Sequence, residues 1–183
     1  IPTQDELEKE HAEQIELLAS TPIDFLLLET FNSVREATVA SKVASATGKT
    51  FVVSFTANAE GDILNGDKWD EAIKQLSAYN PLALLVNCVP GTVATKALEK
   101  IKKLTSLPFG AYGNGDGEAD NDDGWKFTLH QRSVGAGLTP ADHIDNYLRY
   151  CSRWIDAGAT IIGGCCGTDP EYTRAYSQLK RGI

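Results

Sequence analysis

Five short apolar runs, each followed by a helix-patterned stretch, constrain this chain more than any other feature. They are "PIDFLLLE" at 22–29, "TFVVSFT" at 50–56, "PLALLVNC" at 81–88, "LPFGAYGN" at 107–114 and "ATIIGG" at 159–164. Each has strand length and is too short for a buried helix. Their apolar character is continuous rather than alternating, which marks parallel strands covered on both faces. Helical patterns fill the gaps: Thr3 to Ala19, Ser33 to about Gly48, Lys68 to Tyr79, Gly91 to Leu104, Ala141 to Ala157 and Pro170 to Leu179. In the first of these, Leu7, Ile15, Leu17 and Leu18 are expected to form the apolar stripe. Gly48 supplies a helix stop, and Thr139-Pro140 a helix start. Strand–helix alternation of this kind predicts an α/β fold with a parallel sheet.

The polar residues fall at one end of every strand. Glu29 closes the first run, Ser54 and Thr56 the second, Asn87 and Cys88 the third, Asn114 the fourth, and Cys165 and Cys166 the fifth. In a (β/α)8 TIM barrel the C-terminal strand ends carry the active site. An open doubly wound sheet uses mostly one crevice, and no GxGxxG or Walker sequence follows the first strand. The distribution therefore favours the barrel. A complete barrel takes ~250 residues, and this chain has 183. The expectation is a single domain over 1–183 that forms the C-terminal part of a barrel and holds five of the eight strand–helix units. An N-terminal segment or a partner chain would complete it. The chain opens at Ile1 and contains no Met, as a processed or cut product would.

Composition excludes several classes. A net charge of -8 argues against a nucleic-acid surface. No apolar stretch approaches the ~20 residues that span a bilayer, and no signal-peptide pattern opens the chain. Four cysteines are too sparse for a disulfide scaffold. They point to a reduced, cytoplasmic setting and to metal or redox chemistry. The acidic stretch "DGEADNDDG" fails as a calcium loop. Counted from Glu118, its sixth residue is Asp123 and its twelfth Leu129, where Gly and Glu are needed. His11, His130 and His143 lack metal-ligand spacing and are assigned no role.

The segment "GGCCGTDPE" is the most specific element. Two adjacent thiols do not readily pair with each other. Gly163, Gly164 and Gly167 permit a sharp turn that would let both face one ion. Cys88 ends a strand two units earlier and supplies a third thiol. Three protein ligands plus an open position is the catalytic zinc pattern. Cys88 alone also reads as core filler. Cys151, between Tyr150 and Trp154 on a helix, reads as packing. A sulfur-rich zinc site suits activation of a soft nucleophile such as a thiol rather than of water. Glu29 has two readings: a structural ion pair with Arg or Lys, or a binding group for a substrate ammonium. Buried and unpaired it would be costly.

"LLLETF", "LLVNC" and "GGCCGTDPE", in this order and at these strand ends, resemble the homocysteine S-methyltransferase family. That family includes betaine- and S-methylmethionine-dependent enzymes and the homocysteine domain of methionine synthase. The resemblance runs from the first helix to Gly182. It implies a zinc-bearing (β/α)8 barrel in which Cys88, Cys165 and Cys166 match the metal ligands. Glu29 matches the acidic residue that holds the substrate amino group, and Asn87 the residue before the first metal cysteine. Both are candidate substrate-binding residues. The implied reaction is methyl transfer from a small-molecule or corrinoid donor to homocysteine, forming methionine. Two departures stand out: Gly113 replaces a usual proline, and the family's opening Asp-Gly strand element is absent. Alternative readings are a catalytically incomplete zinc-binding fragment and a thiol redox protein using Cys165 and Cys166.

Overall fold

The computed structural model describes residues 2–115 and 140–179. The acidic stretch, His130 and the Thr139 helix start lie outside the described residues.

Helix α1 (Gln4–Ala19) begins where Thr3 and Glu6 exchange hydrogen bonds in a capping box. It leads to β1 (Leu26–Phe31), α2 (Val34–Ala46), β2 (Phe51–Phe55) and α3 (Trp69–Leu76), the last continued by a 3-10 turn at Ser77–Tyr79. Then come β3 (Leu84–Asn87), α4 (Gly91–Ile101), β4 (Phe109–Gly113), α5 (Pro140–Asp156), β5 (Ile161–Gly164) and α6 (Pro170–Tyr176). Each strand pairs in parallel with the next, so the sheet order is β1-β2-β3-β4-β5. A doubly wound sheet reverses direction part-way across. This one keeps the sequence order throughout.

The two faces of the sheet differ in what covers them. Leu26, Leu28, Phe51, Val53, Phe55, Leu84, Val86, Phe109 and Ala111 pack against the helices in one large core. Phe55 is fully buried there, with the rings of Phe31 and Trp69 at 6.3 and 5.6 Å. Side chains alternate across a strand, so the residues between these face the other way. Val52, Ala83 and Leu85, with Tyr112 against them, form a separate small cluster on that face, which is helix-free among the described residues.

Two expectations are corrected. Leu17 and Leu18 do not belong to the stripe of α1: they are 68% and 51% exposed, while Leu7 and Ile15 are buried. They fall in the last turn of α1. The first strand does not end at Glu29. It runs on to Phe31, with a register irregularity between Leu28 and Phe31 and with Thr30 at φ 66°. Cys151 is fully buried, as its helical position suggested.

Candidate metal and substrate site

Cys88 follows β3, and Cys165 and Cys166 follow β5, so two turns from different strands must meet. The exit of β4 lies between them and bonds to both. The Cys88 N–H donates to the Tyr112 carbonyl (3.3 Å), and the Asn114 N–H to the Val89 carbonyl (2.8 Å). On the other side, the Cys165 N–H donates to the Gly113 carbonyl and the Gly115 N–H to the Cys166 carbonyl, both at 2.8 Å. These main-chain bonds fix the spacing of the turns before any side chain acts.

The three sulfurs lie within 4.8 Å of one another, and those of Cys88 and Cys166 are 3.7 Å apart. Sulfurs bound to one zinc at ~2.3 Å in a tetrahedron stand about 3.8 Å apart. The donor set and spacing thus fit a thiolate-bound metal. Burial pushes the Cys88 thiol up to about 12, and the neighbouring Cys165 and Cys166 push the same way. Burial raises Cys165 as well. Three crowded thiols resist losing their protons together unless a cation joins them.

The separate turn after β3 is sharp at Cys88 itself, at φ 57°. Among Gly163, Gly164 and Gly167, only Gly167 has positive φ, at 72°. Gly164 is needed for space instead. A Cβ there would lie 2.5 Å from the Thr168 hydroxyl oxygen. That hydroxyl donates to the Cys165 carbonyl at 2.7 Å, bracing the turn from below. Asp169 then caps α6 by accepting from the Glu171 and Tyr172 N–H groups.

Tyr147 on α5 supports the same region. It is fully buried, with the Trp154 and Tyr172 rings edge-on at 5.8 and 5.5 Å. Its hydroxyl accepts from the Gly113 N–H at 3.1 Å and reaches the carbonyls of Gly113 and Gly163. A proline at position 113 would lack that N–H. Burial pushes the phenol pKa up and keeps it protonated.

A polar group of side chains occupies the helix-free face beside the thiols. The Ser54 hydroxyl donates to Asn87 Oδ1, and Asn87 Nδ2 donates to the Thr30 hydroxyl, both at 2.7 Å. Ser54 and Asn87 are buried. The Tyr112 hydroxyl donates to Glu29 Oε2 at 3.0 Å. Burial pushes the Tyr112 phenol up, the Ser54 hydroxyl opposes this, and the Glu29 charge adds to it. Glu29 is exposed, because β1 is an edge strand of the described sheet. The cost of burying a carboxylate therefore does not apply to it here, and no Lys or Arg among the described residues pairs with it. His11 instead pairs with Glu36 at 3.3 Å, away from this site.

The strand-end expectation covers Glu29, Ser54, Thr56, Asn87, Cys88, Asn114, Cys165 and Cys166, and the structure places them all at the C-terminal end of the sheet. Sequence reasoning missed Tyr112 and Tyr147. Tyr112 carried a local signal, a large polar aromatic at a strand position facing away from the helices. Tyr147 carried none beyond helix amphipathicity.

Known proteins provide a context for this geometry. A family model described as homocysteine S-methyltransferase matches residues 1–179. Homocysteine S-methyltransferase 2 of Arabidopsis thaliana is 26% identical, over 94% of this chain and 50% of its own. Homocysteine S-methyltransferase YbgG of Bacillus subtilis is 27% identical, over 99% of this chain and 54% of its own. The chain thus spans about half the length of the curated relatives it matches. In fold it is similar to the apo form of the homocysteine methyltransferase MmuM from Escherichia coli, with TM-score 0.75 and 23% identity. That likeness covers 97% of this chain and 57% of the other. A metallated form of the same protein gives TM-score 0.74 over 96% of this chain.

Proposed function

Because the chain belongs to the homocysteine S-methyltransferase family, we propose that it carries the zinc-dependent transfer of a methyl group to the thiol of homocysteine, yielding methionine. One observation supports this above the others: three thiol sulfurs within 4.8 Å of one another, at the sheet end that also holds Glu29. We further propose that the five units are the C-terminal part of an eight-unit barrel. The sequential parallel strand order supports that reading, as does a second sheet face whose small cluster includes no residue of a described helix. The remaining strands would come from an N-terminal segment or a partner chain.

In this reading Cys88, Cys165 and Cys166 hold zinc. When bound, the ion supplies the positive charge that keeps a substrate thiol deprotonated at neutral pH. Glu29 binds the homocysteine ammonium through a charge-assisted hydrogen bond. Asn87 lies beside it with one N–H and one lone pair beyond those engaged by Thr30 and Ser54. Holding the amino acid at both ends orients its sulfur toward the donor methyl. The homocysteine sulfur then forms a bond to that methyl as the methyl's bond to a sulfonium, ammonium or corrinoid donor breaks. The thiol proton leaves to solvent. Free thiols suit the reducing cytoplasm, where we place the reaction. Among the described residues no helix is long and apolar enough to cross a membrane.

The test is methionine formation. Zinc-loaded protein with its barrel complete is given homocysteine and, in turn, S-methylmethionine, betaine and methylcobalamin. Methionine from at least one donor is expected, and its absence with all three overturns the proposal.

A further inference from the structure

Tyr112 touches both ends of the proposed substrate site. Its main-chain carbonyl accepts from the Cys88 N–H at 3.3 Å, and its hydroxyl donates to Glu29 Oε2 at 3.0 Å. β4 and β1 are not neighbours, since β2 and β3 lie between them. The phenol therefore reaches across the helix-free face, and a side chain without its length would not meet the carboxylate. Its register partners leave room for this. Asn87 stands opposite on β3 and Gly163 opposite on β5. A Cβ at Gly163 would lie 3.1 Å from the Tyr112 Cβ.

Glu29 needs such a partner. It is exposed on an edge strand next to Thr30, whose positive φ is unusual for a β-branched residue. Tyr112 is its hydrogen-bond partner among the described residues. Without the phenol the carboxylate loses its fixed direction. With it, one oxygen is held and the other remains for a cation.

We infer that Tyr112 is a positioning residue that aims the Glu29 carboxylate relative to the Cys88 turn, and so makes the site select thiols bearing an amino group at homocysteine's distance. This rests on Glu29 being the ammonium-binding group proposed above. Tyr112 itself does not touch the reacting atoms.

The experiment compares two thiols by calorimetry on zinc-loaded protein with its barrel complete. Homocysteine carries the amino group, and 4-mercaptobutanoate is the same chain without it. Tyr112→Phe retains the ring that packs on Val52, Ala83 and Leu85, and zinc content and thermal melting verify its fold. It should weaken homocysteine binding about tenfold, the scale of one hydrogen bond to a charged group. Binding of 4-mercaptobutanoate should be unchanged, so the preference between the two collapses. Glu29→Gln should collapse it too, and the double variant should go no further than Glu29→Gln alone. Equal weakening of both thiols by Tyr112→Phe would reduce the residue to a structural role and overturn the inference. So would an unchanged preference in Tyr112→Phe when Glu29→Gln abolishes it. If Glu29→Gln itself leaves the preference intact, the ammonium reading of Glu29 fails, and the Tyr112 inference with it.

Discussion

The sulfurs of Cys88 and Cys166 stand 3.7 Å apart although 78 positions separate them in the chain. Nothing local brings them together. The exit of β4 does, by bonding to Val89 on one side and to Cys165 and Cys166 on the other. Three uncharged thiols gain little from this crowding, and burial already raises the pKa of Cys88 and Cys165. A shared cation would make the arrangement favourable. Cys88→Ala should therefore remove most of the zinc. Cys151→Ala, at a fully buried packing position, should lower stability by roughly 1 kcal/mol and keep the metal. Zinc content per chain checks both, and full retention in Cys88→Ala would dismiss the assignment.

Gly164→Ala should loosen the same site without touching a ligand. The new Cβ would meet Thr168 at 2.5–2.8 Å and push its hydroxyl off the Cys165 carbonyl. Zinc affinity should fall about tenfold, as when a supporting group of a metal site is lost. Gly48→Ala is the control. It sits at φ 72° with nothing within 4 Å of an added Cβ, so it should cost about 1 kcal/mol of stability and no zinc. Chelator competition separates the two.

Tyr147→Phe should act through the strand ends. It leaves the Gly113 N–H without its hydroxyl acceptor in a buried setting, which costs about 1–3 kcal/mol. Urea unfolding should show that loss. A variant as stable as the wild type would mean that the strand ends bond adequately without the phenol.

Asp62 gives the acid dependence of stability. It is held between Lys68 and Lys100 at 2.6 and 2.7 Å, with its side chain 12% exposed. Burial opposes its charge, but the two ammonium groups outweigh this and lower its pKa from 3.8. A carboxyl depressed on folding adds stability above its unfolded pKa and loses it as pH falls through the folded value. The contribution should be complete above about pH 4 and vanish below the folded pKa. Asp62→Asn should thus cost about 1 kcal/mol at pH 7, and the gap to wild type should close in stronger acid. Denaturation at several pH values measures it, and a gap that persists in strong acid would show that the pair's charges are not responsible.

Much of this was legible in the sequence for physical reasons. Continuous apolar runs require cover on both faces, and that fixes parallel strands. Residues such as Asn87 and Cys165 closing those runs mark the end of the sheet at which the three thiols meet. The sequence was silent where contacts are non-local. No pattern near Tyr112 foretells that its hydroxyl crosses two strands to Glu29, and none near Tyr147 that it reaches Gly113 and Gly163. Glycines advertise the turn at 163–167, where Gly167 has φ 72°, but nothing in the sequence marks the separate turn after β3, where Cys88 stands at φ 57°. The exposure of Glu29 follows from its edge strand, which a string of apolar letters does not reveal.

The central claim is that Cys88, Cys165 and Cys166 form one zinc centre that receives the sulfur of homocysteine. Zinc-edge X-ray absorption on the metal-loaded protein with its barrel complete tests it most directly, because the method counts sulfur neighbours without regard to the methyl donor. Three sulfurs are expected without substrate and four once homocysteine is added. A sulfur count below three without substrate, or one that homocysteine leaves unchanged, would contradict the account.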